Sequence, residues 1–245
     1  MKTLLWAERL KLKRSKILWI AVFSTIMVAF IVFMQGQFQY YGQRYIDQAG
    51  WYMIATQSLG SLCVFPAIIA LMGSYMICRE DQDDTMKSLV MVPIELSKLV
   101  GAKMVVIGIL AVALYTFVYI ITLVVEAALH ISLLDLGTVL NFAKIYLLEG
   151  ISLFLAVSPI IAIVYRLKKG YWLALVFAEI YSFIGLFMGM QSITRYIYPI
   201  TAAFCVSGYY ESTPAQFVTS LFSLLACGGL SLLILHGLNK KHDVY

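Results

Sequence analysis

Long apolar runs alternate with short polar segments along the whole chain. Six runs stand out, at roughly residues 17–34, 59–78, 104–125, 145–165, 171–190 and 217–238. Each is about 18–22 residues, the length that an α-helix needs to cross the hydrocarbon core of a bilayer. The runs are continuous rather than alternating, which favours helices over a transmembrane β-barrel. The pattern predicts an all-α membrane protein, a single domain over residues 1–245 with six transmembrane spans.

The composition excludes a soluble enzyme. Hydrophobic residues make up 62% of the 245 residues and charged residues 13%, with a mean hydropathy of +0.88. Soluble domains are typically about 45–50% apolar and about 25% charged. The first run is followed by Gln35-Gly36-Gln37-Phe38 without a small-residue cleavage site, which favours a retained span over a cleaved signal peptide.

The basic residues predict the orientation of the spans. Of the 18 Lys and Arg residues, 15 precede the first span, join spans two and three or four and five, or follow span six. The exceptions are Arg44, Lys144 and Arg195. Such a bias places both termini in the cytoplasm. The net charge of +5 then faces the anionic inner leaflet, and no nucleic-acid partner is expected.

The first 16 residues predict a helix lying in the membrane interface. Trp6, Leu10 and Ile17 share a narrow arc of a helical wheel, and basic residues cover much of the remainder. This distribution is typical of an amphipathic helix on an anionic membrane surface. Leu5 and Leu12 fall on another side.

The inner loop at residues 79–103 predicts a helix–break–helix elbow. Asp84 or Thr85 can cap a short helix that carries Leu89, and Pro93 must end that helix. A second helix can start near Ser97 and run into span three. The apolar positions favour a docking helix over a merely solvated loop.

The two long outer segments give weaker indications. Residues 35–58 are rich in Gln and Tyr, which favours an interfacial aromatic belt over a ligand-recognition surface. Residues 191–216 contain Pro199 and end near Pro214, so we expect a short helix or a re-entrant hairpin there.

The elbow resembles the signature of type-2 ABC exporter permeases, E…GT-(x7)-P-x-S/R…K. Glu80 and Thr85 are followed by Pro93, eight positions after the threonine, and by Lys103, ten positions after the proline. Asp84 stands where that family usually has Gly, and Glu95-Leu96 where Ser-Arg is common. The opening A-E-R-L-K-L-K-R-S-K resembles the small permeases of lantibiotic and bacitracin self-protection.

The resemblance implies a permease subunit of an ATP-driven exporter in a bacterial cell membrane, expelling an antimicrobial peptide for immunity or resistance. It implies a cytoplasmic ABC ATPase dimer that binds ATP and Mg²⁺, and a second permease, identical or related. The coupling residues would be Glu80, Asp84, Thr85, Leu89, Pro93 and Lys103. The N-terminal segment would be the connecting helix. The chain has no GxxxxGK[ST] motif, so no cofactor is expected in it.

Acids within the spans are candidate functional residues because they are costly there. Glu179 lies near the middle of span five, where it could line a substrate cleft or bond to Ser182 or a neighbouring helix. Glu126 and Glu149 lie near predicted span ends, so we expect them to snorkel to the interface.

Small residues in the same span predict a close helix contact. Gly185 and Gly189 have the GxxxG spacing, and the contact could be with a second permease.

No catalytic or metal constellation is visible in the sequence. HExxH, GxSxG and CxxC patterns are absent, and the three His residues are far apart. Three alternatives stay open: export of another amphiphile or a lipid-linked substrate, an intramembrane enzyme, and a sensor or scaffold. An ATPase that copurifies with the chain would separate a transporter from the last two.

Overall fold

The computed structural model describes residues 2–13, 15–40, 42–82, 96–167 and 170–242. Its helices are α1 (Lys2–Lys13), α2 (Ile17–Gly36), α3 (Trp51–Leu59), α4 (Phe65–Gln82), α5 (Leu96–His130), α6 (Leu136–Leu167), α7 (Trp172–Met190), α8 (Thr194–Ile197), α9 (Pro199–Ser207) and α10 (Pro214–His242). A π-helical turn, Gly60–Val64, joins α3 to α4. Two strands of two residues, β1 (Gln39–Tyr40) and β2 (Gln43–Arg44), pair antiparallel between α2 and α3.

Six helical segments in the described part of the chain are long and apolar enough to cross a membrane. They are Ile17–Gly36, Trp51–Arg79, Leu99–His130, Leu136–Tyr165, Trp172–Met190 and Pro214–His236, called here the first to sixth spans. The predicted all-α membrane fold with six transmembrane helices is therefore confirmed.

The second, third and fourth spans are longer than the apolar runs that predicted them. The fourth begins at Leu136 rather than near residue 145. Asp135 sets this start, because its Oδ1 accepts a hydrogen bond from the backbone N–H of Thr138 at 3.0 Å. Polar helical turns at span ends lower the local hydropathy without breaking the helix, so apolar content alone places the ends too deep.

The second and fourth spans form the centre of the bundle. In their most apolar windows 78% and 56% of the residues are buried, against 39% or less in the other four spans. Phe65 of the second span and Tyr115 of the third meet edge to face in this core, with ring centroids 5.0 Å apart. The first, fifth and sixth spans turn large apolar side chains outward, as expected for surfaces that meet lipid.

The segment between the fifth and sixth spans folds back into the bundle. Pro199 occupies the first turn of α9, where its missing N–H has no intrahelical partner to lose. Gly208 follows α9 with a φ of +89°, a left-handed conformation suited to glycine. Ile200, Thr201 and Phe204 are fully buried. α9 packs against the fourth and sixth spans, so it belongs to the core.

The two ends of the bundle differ in their polar contacts. One end holds α1 beside Tyr75 and Arg79 of α4, and we call it the basic end. The opposite end holds Gly50, Glu126 and His130 in one hydrogen-bonded group. Each end thus has its own set of fixed contacts between helices.

Candidate functional site

Most of the predicted coupling elbow lies outside the described residues. This applies to Asp84, Thr85, Leu89 and Pro93, and to the side chain of Glu80. The described flanks are α4, which runs to Gln82, and α5, which starts at Leu96. The ends of these two helices that flank the elbow lie at the basic end.

Lys103 joins the two helices that flank the elbow. Its side chain is 1% exposed, and its Nζ donates a hydrogen bond to the backbone carbonyl of Met76 at 2.9 Å. This buried hydrogen bond joins α5 to α4. Of the predicted coupling residues, Lys103 is the one whose side chain the structure describes.

Helix α1 rests against the same two helices. Leu12 and Glu8 are buried, while Trp6 and Leu10 are exposed. Glu8 and Lys11 form an ion pair at 3.0 Å. The helix therefore has an inward face with Leu12 and an outward face with Trp6 and Leu10, which accounts for its imperfect amphipathic pattern.

Glu179 is exposed on the fifth span. Val176, Ile180 and Phe183 on the same helix are exposed as well, so the carboxyl stands on an otherwise apolar surface. The hydroxyl of Ser182 is buried without a hydrogen-bond partner among the described residues, so it does not bind Glu179. Cys63 of the second span lies within electrostatic range of Glu179.

Gly185 and Gly189 face the folded-back segment of the same chain. A Cβ at Gly185 would lie 3.2 Å from the ring of Tyr198, and one at Gly189 would lie 3.3 Å from the methyl group of Thr201. The hydroxyl of Tyr198 donates to the carbonyl of Tyr181 at 2.6 Å. The small residues thus permit a close contact between α7 and α9.

Glu126 does not snorkel as the sequence predicted. Its side chain is 2% exposed, and Oε1 accepts a hydrogen bond from the backbone N–H of Gly50 at 2.6 Å. The same oxygen lies 3.0 Å from Nδ1 of His130. Since the third span continues to His130, Glu126 is one turn inside the helix and contacts the loop that leads into α3.

A surface ion pair stands beside this group. Arg44 donates to both carboxylate oxygens of Asp47, from Nε at 3.2 Å and from a terminal nitrogen at 2.9 Å. This hydrogen bonding holds the pKa of Asp47 below its usual value. The pair fixes the turn between β2 and α3.

Glu149 was also predicted to snorkel, and the structure shows that this is wrong. The residue is 0% exposed near the middle of α6, because the helix begins nine residues earlier than the apolar run suggested. Both carboxylate oxygens lack a hydrogen-bond partner among the described residues. The side chains of Gln57, Ser61 and Ser207 lie beside the carboxyl.

The neighbours of Glu149 come from four parts of the chain. Gln57 lies on α3, Ser61 in the π-helical turn, Tyr115 on α5 and Ser207 at the end of α9. The hydroxyl groups of Ser61 and Tyr115 form a hydrogen bond at 2.5 Å. π-Helical turns are rare in proteins, and many of them lie at functional sites. This cluster is therefore a candidate site that the sequence reasoning missed.

Two sequence signals could have revealed the cluster. Asp135 in front of Leu136 is a helix start, and reading it would have placed Glu149 deep in the span. Gln57 and Ser61 are four residues apart and would share one helix face.

The described residues contain no group of three or more His, Cys, Asp or Glu arranged to hold a metal ion. A family model described as ABC-2 family transporter protein matches residues 4–185. The match includes most of α1, the predicted coupling elbow and most of the fifth span. No curated protein matches the chain.

Proposed function

The chain belongs to the ABC-2 transporter family as a membrane permease subunit, and from this premise we propose that it exports a cationic antimicrobial peptide. The peptide would be of the lantibiotic or bacitracin type, and its expulsion would give immunity or resistance. The opening segment A-E-R-L-K-L-K-R-S-K supports this substrate class through its resemblance to self-protection permeases.

One observation carries the substrate proposal, the exposed carboxyl of Glu179 on an apolar span. An acid that faces lipid is costly, so this surface suits a cleft shared with another protein. In a cleft between two permeases, Glu179 would meet a Lys or Arg side chain of the peptide. A charge-assisted hydrogen bond there would select cationic substrates.

Membership of the family implies an ABC ATPase partner in general. We propose that an ATPase dimer, which binds ATP and Mg²⁺, docks on the segment around Thr85–Leu96. Glu80, Asp84, Leu89 and Pro93 would shape this contact. The hydrogen bond between Lys103 and the carbonyl of Met76 supports the assignment, because it ties together the helices on both sides of the segment.

We further propose that a second permease, identical or related, completes the cleft in a bacterial plasma membrane. Both termini would lie in the cytoplasm, since α1, Arg79 and Lys103 share the basic end of the bundle. The exposed Trp6 and Leu10 of α1 would then contact membrane lipid at the inner interface.

The peptide proposal is tested by resistance in a sensitive bacterial host. The chain is expressed with its ATPase and second permease, and growth inhibition by a lantibiotic and by bacitracin is measured. Glu179→Gln should weaken protection about tenfold or more, because a lost charged hydrogen bond of about 1.5–3 kcal/mol corresponds to such a change in binding. Glu211→Gln is the control, because Glu211 is exposed in a connecting loop.

Immunoblots of membranes must show equal amounts of each variant. Equal protection by Glu179→Gln and the wild type removes Glu179 from the substrate path. A complete transporter that protects against neither peptide refutes peptide export, and a purified complex without an ATPase refutes the transporter assignment itself.

A second substrate class, a lipid-linked amphiphile, is favoured by an apolar groove between the fourth and fifth spans. The lining residues are Ile160, Ile163, Phe177, Ile180, Tyr181 and Ile184. Such a groove would hold an acyl or prenyl chain. ATP-dependent translocation of a fluorescent polyprenyl phosphate in proteoliposomes, without protection against peptides, would favour this class.

A further inference from the structure

Glu149 presents a physical problem that peptide export does not explain. Its carboxyl is fully buried near the middle of the fourth span. Neither carboxylate oxygen has a hydrogen-bond partner among the described residues. An ionised carboxylate in such a place must be compensated by a cation or by several donors.

The groups that face Glu149 provide no cation. Gln57 from α3, Ser61 from the π-helical turn and Ser207 from α9 lie beside the carboxyl. Among the described residues, four titratable side chains interact electrostatically with it, and all four are phenols, from α5, α6 and the segment after α9: Tyr115, Tyr146, Tyr209 and Tyr210. In the described part of the chain, every one of these neighbours is neutral near pH 7.

Two of the neighbours already form hydrogen bonds with groups other than Glu149. Tyr115 is bonded to Ser61 at 2.5 Å, and Tyr146 donates to the carbonyl of Met53 at 2.6 Å. Gln57 differs from them, because it is 0% exposed and both its Oε1 and its Nε2 lack partners among the described residues. Glu149 and Gln57 therefore place four buried polar atoms without hydrogen-bond partners next to each other.

One proton satisfies all four atoms. A protonated carboxyl donates its O–H to an amide oxygen and accepts the amide N–H on its carbonyl oxygen, which forms a cyclic pair. An ionised carboxylate can accept from Nε2 of Gln57 but leaves Oε1 of Gln57 without a donor. A bound divalent cation fits less well, because the single carboxylate would leave one of its two positive charges uncompensated in a buried site.

We propose that Glu149 is a proton-binding site and that its protonated carboxyl pairs with the amide of Gln57. This pair links the fourth span to α3, next to the π-helical turn. A conformation that separates the two and admits water releases the proton, so the movement of these spans is linked to proton release. The proposal does not depend on the identity of the exported substrate.

Infrared difference spectroscopy of the full-length chain in lipid nanodiscs tests the proposal directly. The carbonyl stretch of a protonated carboxyl is separate from the amide bands and from carboxylate bands. We expect this band at pH 7, a shift of the band when glutamate is labelled with ¹³C at its carboxyl carbon, and loss of the band in Glu149→Gln. In Gln57→Leu the band should persist at a higher frequency, because the hydrogen bond is lost.

The matched control is Glu179→Gln, which changes an intramembrane acid on a different span and should retain the band assigned to Glu149. Isotope labelling requires no substitution, so the wild-type spectrum tests the proposal even if a variant fails to fold. If the wild type at pH 7 shows no carboxyl carbonyl band that shifts on ¹³C labelling, the proposal is overturned. A band that appears only after sodium is removed overturns it in favour of a bound cation.

Discussion

The junction between Glu126 and Gly50 gives a quantitative prediction. Glu126 accepts the backbone N–H of Gly50 at 2.6 Å and lies 3.0 Å from Nδ1 of His130. Glu126→Ala removes this acceptor and leaves the Gly50 N–H unpaired. Glu126→Gln keeps an acceptor oxygen for Gly50 but replaces the second carboxyl oxygen with an amide nitrogen.

The size of the effect follows from these contacts. Leaving a buried donor without its acceptor costs about 1–3 kcal/mol, and the Gly50 N–H loses its acceptor here, so Glu126→Ala should lower the free energy of unfolding by about 2–3 kcal/mol. In a chain of this size this corresponds to a fall of about 5–10 °C in the unfolding midpoint. Glu126→Gln should cost about 1 kcal/mol, because a neutral hydrogen bond to Gly50 survives.

A thiol-reactive dye provides the assay. Cys78 and Cys205 are buried and form no disulfide, so their thiols react when the chain unfolds on heating in detergent. Glu211→Ala serves as the control, because its exposed side chain should change the stability by less than about 0.5 kcal/mol. A midpoint for Glu126→Ala equal to that of Glu211→Ala would refute the assignment of Glu126 as a fixed junction.

Three further predictions follow from local contacts. Gly150→Ala places a Cβ 3.1 Å from Cβ of Tyr115 and should lower the free energy of unfolding by about 1–3 kcal/mol in the same assay. Lys103→Met removes the bond to the Met76 carbonyl and should reduce substrate-stimulated ATP hydrolysis of the assembled transporter more than basal hydrolysis. Folding lowers the pKa of Asp47, so its ionised carboxylate stabilises the folded chain above the ordinary pKa of 3.8, and this stabilisation is lost as the pH falls below that value. Asp47→Asn should remove this pH-dependent stabilisation.

Each of these three predictions has a control variant or a stated contrary result. Gly101→Ala meets no atom within 4 Å and should leave the unfolding midpoint unchanged. Lys144→Met alters an exposed lysine of the fourth span and should leave ATP hydrolysis unchanged. Equal effects of Lys103→Met and Lys144→Met would contradict the proposed coupling role of Lys103. The prediction for Asp47→Asn is contradicted if its unfolding midpoint decreases as steeply as that of the wild type when the pH is lowered.

The motif in the predicted coupling elbow indicated the family of the chain but not the contacts of its residues. The sequence signature at Glu80, Thr85, Pro93 and Lys103 indicated the permease family, and the family match over residues 4–185 agrees with it. The docking role of Leu89 and Pro93 stays a prediction, because these residues lie outside the described part of the chain. The contact between Lys103 and Met76 was not foreseeable, since nothing local pairs residues 27 positions apart.

The intramembrane acids show where sequence reasoning went wrong. Glu149 and Glu126 were placed near membrane surfaces because the apolar runs ended close to them, yet both are buried. Glu179, in the middle of its run, is the exposed one. An apolar run measures composition along one helix and carries no information on which face meets a neighbouring helix.

By itself, the sequence determined that this chain forms six transmembrane helices, because a bilayer requires about 20 apolar residues in each crossing helix and satisfied backbone hydrogen bonds. It did not determine which helices form the core. The first span has a higher mean hydropathy than the second, 2.7 against 2.0, yet 33% of its window is buried against 78%. Lipid and protein interior are similarly apolar, so hydropathy does not distinguish a helix that faces lipid from one that faces protein. That choice, and with it the burial of Glu149 beside Gln57, was decided by the packing of distant helices.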